Sequence, residues 1–290
     1  MANFETCCLA EIFLPNITSK EELFDVAELL YRINKHSLML PSHNRETEAI
    51  VHKNMRMGIG ATGILQATEE QVDWLDDCYE YLRAFDEEYS KENGFNKSIK
   101  LTTVKPSGTL SLLPGVTPGI HPAYAQYMYR RIRIASSHAL VNVCKENGYP
   151  IEFVKNFDGS EDYNTVVVTF PFSYPEGTIL ASQMSAIDQL KMIKKLQTIW
   201  SDNSVSCTVY YRKEEIDDIR QYLKENYKSF HKSLSFLLHS DHGFAQAPYE
   251  EITEEQYNEL VNSTKIITSL NGSIDYESND ECASGICPIK

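Results

Sequence analysis

Two cysteines near the end of the chain have the spacing of a dithiol pair. Cys282 and Cys287 stand five positions apart, with Gly285 between them, in a segment rich in small polar residues. A thiolate attacks a disulfide through a mixed intermediate, so such a pair on a flexible arm can reduce a buried disulfide and pass its own to an external reductant. Two alternatives remain open, which are half of a zinc site and two unrelated surface thiols.

A second candidate site is a turn of small hydroxyl residues that follows a predicted strand. It lies between Lys105 and Gly115, and its candidate phosphate-binding residues are Ser107, Gly108, Thr109, Leu110 and Ser111. Backbone N–H and side-chain O–H groups in such a turn can converge on an anion, which suits a nucleotide phosphate. An ordinary turn with a capping serine is the alternative. The segment does not fit the P-loop pattern, because no lysine follows Gly108.

The run from Gly58 to Gly63 satisfies the G-x-G-x-x-G pattern of dinucleotide-binding folds, but its surroundings do not. Residues 51–57 do not have a strand pattern, and a helix cap at Thr68 follows within a few residues. We therefore reject the dinucleotide site and interpret the glycines as places where the backbone packs closely against a neighbouring element.

The remaining cysteines and the histidines carry weaker signals. Cys7 lies on the opening strand, where a thiol can be held rigidly, although a buried cysteine is most often an apolar filler. Cys78, Cys144 and Cys207 fall within predicted helices or a strand and are interpreted as core residues. The eight histidines lack metal-ligand spacing such as H-E-x-x-H, so no metal site is assigned.

The elements that position these residues follow from capping signals and hydrophobic periodicity. A strand runs from Cys7 to Pro15, capping boxes at Thr18 or Ser19 open a helix that ends near Pro41, and a longer helix runs from Thr68 to Gly94. From residue 99 onward strands and helices alternate, which indicates crossover connections and a mainly parallel sheet. The sequence predicts an α/β fold over residues 1–269 and a flexible tail over residues 270–290.

Composition limits the classes of function. Lys and Arg number 27 against 41 Asp and Glu, and the net charge of −14 argues against extended binding to nucleic acid. No apolar stretch is long enough to cross a membrane, and the first residues lack the features of a signal peptide. These observations predict a cytoplasmic protein without membrane or nucleic-acid partners. In that reducing compartment, closely spaced cysteines are redox or metal groups.

Five segments, in the same order along the chain, closely resemble the monomeric adenosylcobalamin-dependent ribonucleoside-triphosphate reductases. They are residues 105–123, 130–134, 202–215 and 248–252 and the tail with its two cysteines. The resemblance covers nearly all of the chain and implies the C-terminal part of that family's ten-stranded α/β barrel, followed by the tail. It also implies adenosylcobalamin as the cofactor and ribonucleoside triphosphates as the substrates.

The resemblance implies a role for each candidate residue. Cys7 matches the second cysteine of a pair that supplies two electrons and becomes a disulfide, after a thiyl radical has abstracted the 3′ hydrogen and water has left C2′. Residues 107–111 match the loop that grips the substrate phosphates. Cys282 and Cys287 match the shuttle that re-reduces the pair for thioredoxin-type donors.

The chain also departs from the family pattern. The finger loop with the radical cysteine would lie upstream of Met1, so we expect the chain to need an N-terminal reductase half as its partner. Cys8 stands where the family has a polar residue such as asparagine, which bears on the local thiol chemistry.

Three other functions are considered. The chain could be the large subunit of a metal-dependent class I reductase, where paired tyrosines such as Tyr210 and Tyr211 relay a radical, although the Pro-Ser-Gly-Thr form of residues 106–109 argues against it. It could be a non-catalytic fragment that folds with an N-terminal half or competes for one. A stand-alone dithiol oxidoreductase is disfavoured, because no Cys-X-X-Cys opens a helix.

Overall fold

Strands and helices alternate along the chain, of which a computed structural model describes residues 1–156, 158–226, 228, 231–239 and 246–268. The elements in chain order are β1 (Cys8–Phe13), α1 (Lys20–Ser37), α2 (Arg45–Asn54), β2 (Met57–Thr62), α3 (Glu69–Asn93), β3 (Thr102–Thr103), β4 (Tyr127–Ala135), α4 (Ala139–Glu146), β5 (Ile151–Lys155), β6 (Glu161–Ser173), α5 (Ala186–Ile199), β7 (Thr208–Tyr211), α6 (Ile216–Asn226), β8 (Ser235–Leu238), β9 (Tyr249–Glu251) and α7 (Glu254–Ser263).

The chain divides into two units, which the sequence did not predict. Unit 1 comprises Met1–Tyr124 and Tyr174–Asp241, and unit 2 comprises Ala125–Ser173 and His242–Lys290. The predicted boundary between a folded part, residues 1–269, and a tail, residues 270–290, falls at the edge of the described residues and stays a prediction.

Unit 1 has the predicted parallel α/β architecture. Strands β1, β2 and β3 pair in that order and are all parallel. A parallel bridge between Val104 and Val205 joins the end of β3 to the segment before β7, and β7 pairs with β8, again in parallel. Helices connect successive strands, as parallel pairing requires.

The helices of unit 1 cover one face of its sheet. Ile12 of β1 and Ile59 of β2 belong to a buried core that includes Leu23 of α1, Leu75 of α3 and Leu190 of α5. Side chains alternate between the two faces of a strand, so Leu9 and Glu11 lie on the opposite face. We call this second face, which also carries Thr103, the loop-side face.

Strand β2 contains the glycines of the G-x-G-x-x-G run, and residues 51–54 before it are helical, so the strand that a dinucleotide site needs is absent there, as predicted. The interpretation of the glycines as close-packing sites is confirmed. A Cβ on Gly58 would lie 2.7 Å from Leu9 Cδ2, and one on Gly60 would lie 2.5 Å from Glu11 Oε2. The side chains of β1 therefore lie across the bare backbone of β2 on the loop-side face.

Capping chemistry sets the helix boundaries. Ser19 caps α1 by accepting from the Glu22 amide, and Thr68 and Gln71 form the capping box of α3. Gly94 ends α3 with a φ of 69°, as predicted. Helix α1 ends at Ser37, short of the predicted end near Pro41, and α2 was not predicted.

Unit 2 overturns the expectation of parallel pairing in its region. Its four strands are antiparallel, in the order β5, β6, β4, β9. A short turn at Gly159, where φ is 84°, reverses the chain between β5 and β6 and makes them a hairpin. Cys144 of α4 packs with Val166 and Val168 of β6 in this unit's core.

Candidate active site

Cys7 lies immediately before β1 and is partly exposed. Its Sγ lies 3.6 Å from the Cys8 carbonyl oxygen, to which it donates, and a cavity of about 480 Å³ reaches both cysteines. Burial raises the pKa of the Cys7 thiol to about 11. The cations Arg56 and Lys105 oppose that rise. At neutral pH, Cys7 is therefore a protonated thiol with cations available to stabilise a transient thiolate.

A buried carboxylate fixes the segment that carries Cys7. Glu5 accepts hydrogen bonds of 2.9 Å from Asn54 Nδ2 and of 2.9 Å from Arg56 Nε. Burial acts to raise the pKa of Glu5, but these hydrogen bonds and that of the Ala2 amide lower it below its usual value. The charged Glu5 thus ties the start of the chain to the end of α2 and the start of β2.

Cys8 lines the same cavity as Cys7, but its thiol has a different hydrogen-bond partner. Its Sγ donates to Asn34 Oδ1 at 3.2 Å, on the side of the sheet that α1 covers. Burial raises the pKa of the Cys8 thiol as well. The residue that departs from the family pattern is thus held by a helix side chain and does not share the immediate partners of Cys7.

The predicted phosphate loop is one tight turn. Leu110–Leu112 form a short 3-10 helix rather than the opening of a longer helix, and the Ser111 amide donates to the Ser107 carbonyl at 2.9 Å. Ser107 has a φ of 47°, a left-handed conformation that is unusual for a residue other than glycine. Thr109 is exposed, whereas the Ser111 side chain is fully buried.

Two hydroxyls of this region, Ser111 Oγ and Thr117 Oγ1, are buried without a partner among the described residues. The buried Glu11 carboxylate has Ser107 and Lys105 beside it, which act to lower its pKa, but burial raises the pKa above its usual value. Buried polar groups are nearly always hydrogen-bonded in native proteins, so the two hydroxyls indicate a site that a ligand completes. Glu11 was not singled out in the sequence.

The end of β2 anchors the segment that follows the loop. The Gly119 amide donates to Thr62 Oγ1 at 2.6 Å, and the Gly63 amide donates to the Thr117 carbonyl at 2.9 Å. Gly119 has a φ of 60°, and a Cβ there would lie 2.2 Å from the Lys105 carbonyl oxygen. The Lys105 carbonyl oxygen thus approaches the Gly119 backbone so closely that only glycine fits there.

His121, one of the unassigned histidines, connects the same segment to β7. Its Nδ1 lies 2.9 Å from the Pro118 carbonyl oxygen and its Nε2 lies 3.1 Å from the Thr208 amide nitrogen. A carbonyl only accepts and an amide only donates, so the ring must be neutral with its proton on Nδ1. Burial lowers the pKa of His121, which favours this neutral form.

Acidification is expected to weaken unit 1 through His121. The unfolded histidine titrates near 6.5 and the folded one below that value, so its contribution is present above pH 6.5 and is lost as the pH falls through the folded pKa. His121→Gln supplies one donor and one acceptor but does not titrate. Urea unfolding at pH 7.5 and pH 5 should show a larger loss of stability in the unaltered chain than in the variant, and equal losses would contradict the assignment.

The tyrosine pair lies on β7, but its two rings do not pack together. The ring centroid of Tyr210 lies 6.4 Å from that of His121, and the ring centroid of Tyr211 lies 6.3 Å from that of Phe236. Adjacent residues of a strand point to opposite faces, which explains the separation.

The described residues contain Cys7 and the loop, whereas Cys282 and Cys287 lie outside them. Cys78, Cys144 and Cys207 are buried, as predicted. In the described ranges, no cluster of three or more His, Cys, Asp or Glu residues could hold a metal ion. No described helix combines the length and apolar character of a membrane span.

Unit 1 thus has a parallel α/β sheet with a cysteine just before one strand and a hydroxyl-rich loop after another, which places it in the α/β class. The sequence of residues 79–237 matches the family model of the ribonucleotide reductase barrel domain. The chain belongs to this family.

Curated relatives support the assignment. A probable adenosylcobalamin-dependent ribonucleoside-triphosphate reductase from Dictyostelium discoideum is 32% identical over 300 residues, covering 100% of this chain and 39% of its own length. The adenosylcobalamin-dependent ribonucleoside-triphosphate reductase of Euglena gracilis is 33% identical, covering 94% of this chain and 38% of its own length. The chain therefore spans about two fifths of the relatives it matches.

Solved structures agree with the fold. A B-12 dependent (class II) ribonucleotide reductase has a TM-score of 0.78 and 29% identity, over 95% of this chain and 43% of that one. The alpha subunit of a class Id reductase from Actinobacillus ureae has a TM-score of 0.50 and 11% identity, over 80% of this chain and 49% of that one, which shows the fold alone. The class I alternative therefore has less support.

Proposed function

We propose that this chain is the C-terminal part of an adenosylcobalamin-dependent ribonucleotide reductase that converts ribonucleoside triphosphates to 2′-deoxyribonucleotides for DNA synthesis. The observation that carries the proposal is the position of Lys105. It lies at the start of the phosphate loop and pairs with Glu11 on the loop-side face. Its positive charge also acts to lower the pKa of the Cys7 thiol. A thiol and an anion-binding turn thus share one cation. The names of the relatives support the same reaction.

In this proposal, Cys7 supplies reducing equivalents at the ribose. A thiyl radical on the remaining part of the reductase abstracts the 3′ hydrogen, the 2′ hydroxyl leaves as water, and the resulting thiol returns the hydrogen to C3′ at the end of the reaction. Cys7 and a second cysteine, also from that part, give two electrons and two protons and become a disulfide. The high pKa of Cys7 suits a group that must deliver a proton at neutral pH.

The tail completes the cycle by thiol–disulfide exchange. Cys282 and Cys287 reduce the disulfide at Cys7 and become a disulfide themselves, which a thioredoxin-type dithiol then reduces. The phosphate loop, residues 107–111, holds the substrate so that the ribose lies near Cys7.

The relatives are named for their dependence on adenosylcobalamin, and the proposal extends that dependence to this chain, for which the cofactor would supply the first radical. Two cavities of unit 1, of about 480 and 360 Å³, are of the size that encloses drug-sized ligands, a third of about 200 Å³ is smaller, and a corrin with its nucleotide tail is much larger than such ligands. They do not fit the whole cofactor. In this proposal, the described residues of this chain bind the substrate phosphates and position Cys7.

The test is a nucleotide-reduction assay on the chain, alone and mixed with an N-terminal reductase portion, with and without adenosylcobalamin. We expect product only in the mixture with adenosylcobalamin, and Cys7→Ser should abolish it. Cys8→Ser, which keeps a donor for Asn34, is the matched control and should stay active. Activity that needs a metal-dependent radical subunit instead would favour class I, and no activity in any mixture would favour an interaction fragment.

A further inference from the structure

The ion pair between Lys105 and Glu11 joins a fully buried carboxylate to a partly exposed ammonium group. Lys105 Nζ lies 3.0 Å from Glu11 Oε2, and the side chain of Glu11 is 0% exposed while that of Lys105 is 27% exposed. An ammonium group has three N–H donors, and among the described residues Lys105 pairs with this one carboxylate. Lys105 thus has donors left over, on the side that reaches solvent.

The neighbouring hydroxyls also have donors to spare. Ser111 Oγ and Thr117 Oγ1 are buried without partners in the described part of the chain, with both side chains 0% exposed, and Ser107 lies beside the Glu11 carboxylate. A ligand that completes the set must accept from hydroxyls and from an ammonium group at once. Phosphate oxygens do so, because they are charged acceptors with several lone pairs.

Building on the proposed function, we infer that Lys105 is itself a phosphate ligand that determines specificity for the charged part of the substrate, with Glu11 as the residue that positions it. Lys105 keeps its contact with Glu11 when the phosphate binds. Moving it away would leave a buried carboxylate without its counter-charge, which is strongly unfavourable. The ammonium group therefore bridges Glu11 and the phosphate.

The bare backbone of β2 explains why Glu11 can take this role. Glu11 lies across Gly60, where a Cβ would come within 2.5 Å of the carboxylate. Strand β2 thus sets the buried position of the Glu11 carboxylate, and the ion pair with this carboxylate fixes the position of the Lys105 ammonium group. Without Glu11, the flexible side chain of Lys105 would extend into solvent and lose this position.

The experiment is calorimetric titration of the full 290-residue chain with CTP and, in competition, with inorganic triphosphate. We expect Lys105→Met to weaken the binding of both by roughly 10- to 100-fold, the range of a hydrogen bond to a charged group, and Lys105→Arg to restore most of it. Lys100→Met is the matched control, because Lys100 pairs with Asp202 away from the loop. It should bind as tightly as the unaltered chain.

Glu11→Gln tests the positioning role. It should weaken CTP binding in the unaltered background but have no further effect in the Lys105→Met background. Equal weakening in both would mean that Glu11 acts only on the fold, and would overturn its role. The double variant also buries no unpaired charge, so it stays informative if Lys105→Met alone fails to fold.

Thr109→Val tests the phosphate loop independently of Lys105. If it weakens CTP binding while Lys105→Met does not, the phosphate loop stands and the inference about Lys105 is overturned. If the unaltered chain binds neither CTP nor inorganic triphosphate, the phosphate loop of the proposed function is wrong, and the role of Lys105 falls with it.

Discussion

Asp86→Ala should destabilise unit 1 by about 3–5 kcal/mol, the cost of leaving a buried charge without its partner. Asp86 of α3 accepts from Lys35 Nζ of α1 at 2.8 Å and from the Tyr31 hydroxyl at 2.7 Å. Burial acts to raise the pKa of Asp86, but these hydrogen bonds lower it, so the carboxylate is charged. Lys35 is 0% exposed, and its ammonium group could not reach water in the variant without disturbing the core.

The measurement is urea unfolding followed by tryptophan fluorescence, since both tryptophans, Trp74 and Trp200, belong to unit 1. The midpoint should fall by more than about 1 M. Asp77→Ala is the matched control on the same helix, because Asp77 pairs with Lys20 at an exposed position and should cost about 0.2–1 kcal/mol. Similar midpoints for the two variants would show that the buried pair does not hold α1 to α3.

Gly119→Ala should both destabilise unit 1 and displace the phosphate loop. The left-handed backbone at Gly119 costs an alanine about 1–2 kcal/mol. The new Cβ would lie 2.2 Å from the Lys105 carbonyl oxygen, a backbone atom that cannot turn aside. Such overpacking adds about 1–3 kcal/mol, and the relief of the clash must move Lys105 and the turn that follows it.

Gly115→Ala provides the control for this prediction. Gly115 also has a positive φ, 72°, but nothing lies within 4 Å of its missing Cβ. It should therefore show the cost of the backbone conformation without the clash. Thermal unfolding and CTP titration of both variants give the comparison, and CTP binding should be lost mainly in Gly119→Ala. If the two variants bind CTP equally well, the contact with Lys105 does not position the loop.

The sequence predicted those elements whose ends carry local chemistry. Helix α3 is bounded by a capping box at Thr68 and a left-handed glycine at Gly94, and both signals depend only on neighbouring residues. Strand β2 has no such signal, because its glycines disfavour a strand in isolation. It is a strand because β1 and β3 pair with it on either side, which is information from distant parts of the chain.

The antiparallel sheet of unit 2 was missed for a related reason. Strands separated by a helix, such as β4 and β6 with α4 between them, give the same pattern in sequence whether they pair in parallel or antiparallel. The deciding feature is the hairpin of β5 and β6. Its local signals, apolar Ile151, Phe153 and Val154 followed by Asp158 and Gly159, were present in the sequence but were not used. Periodicity alone does not record the direction of pairing.

The candidate site was predictable only in part. Resemblance to a family pointed to Cys7 and to the loop from Ser107 to Ser111, and local hydroxyl chemistry pointed to the loop independently. Glu11 gave no signal, because a glutamate on a strand that alternates apolar and polar residues indicates a solvated face. Its burial depends on Gly60 of the adjacent strand and on Lys105, neither of which is close to it in sequence.

The glycines of β2 place no side chains in the middle of the loop-side face. The charged groups on this face therefore come from β1 and from the turn after β3. β2 has no charged residue of its own, yet it sets the depth at which the Glu11 carboxylate lies. Adding one methyl group at Gly60 would lift that carboxylate and move the ammonium group paired with it. A strand without functional side chains thus governs the charge presented to a ligand.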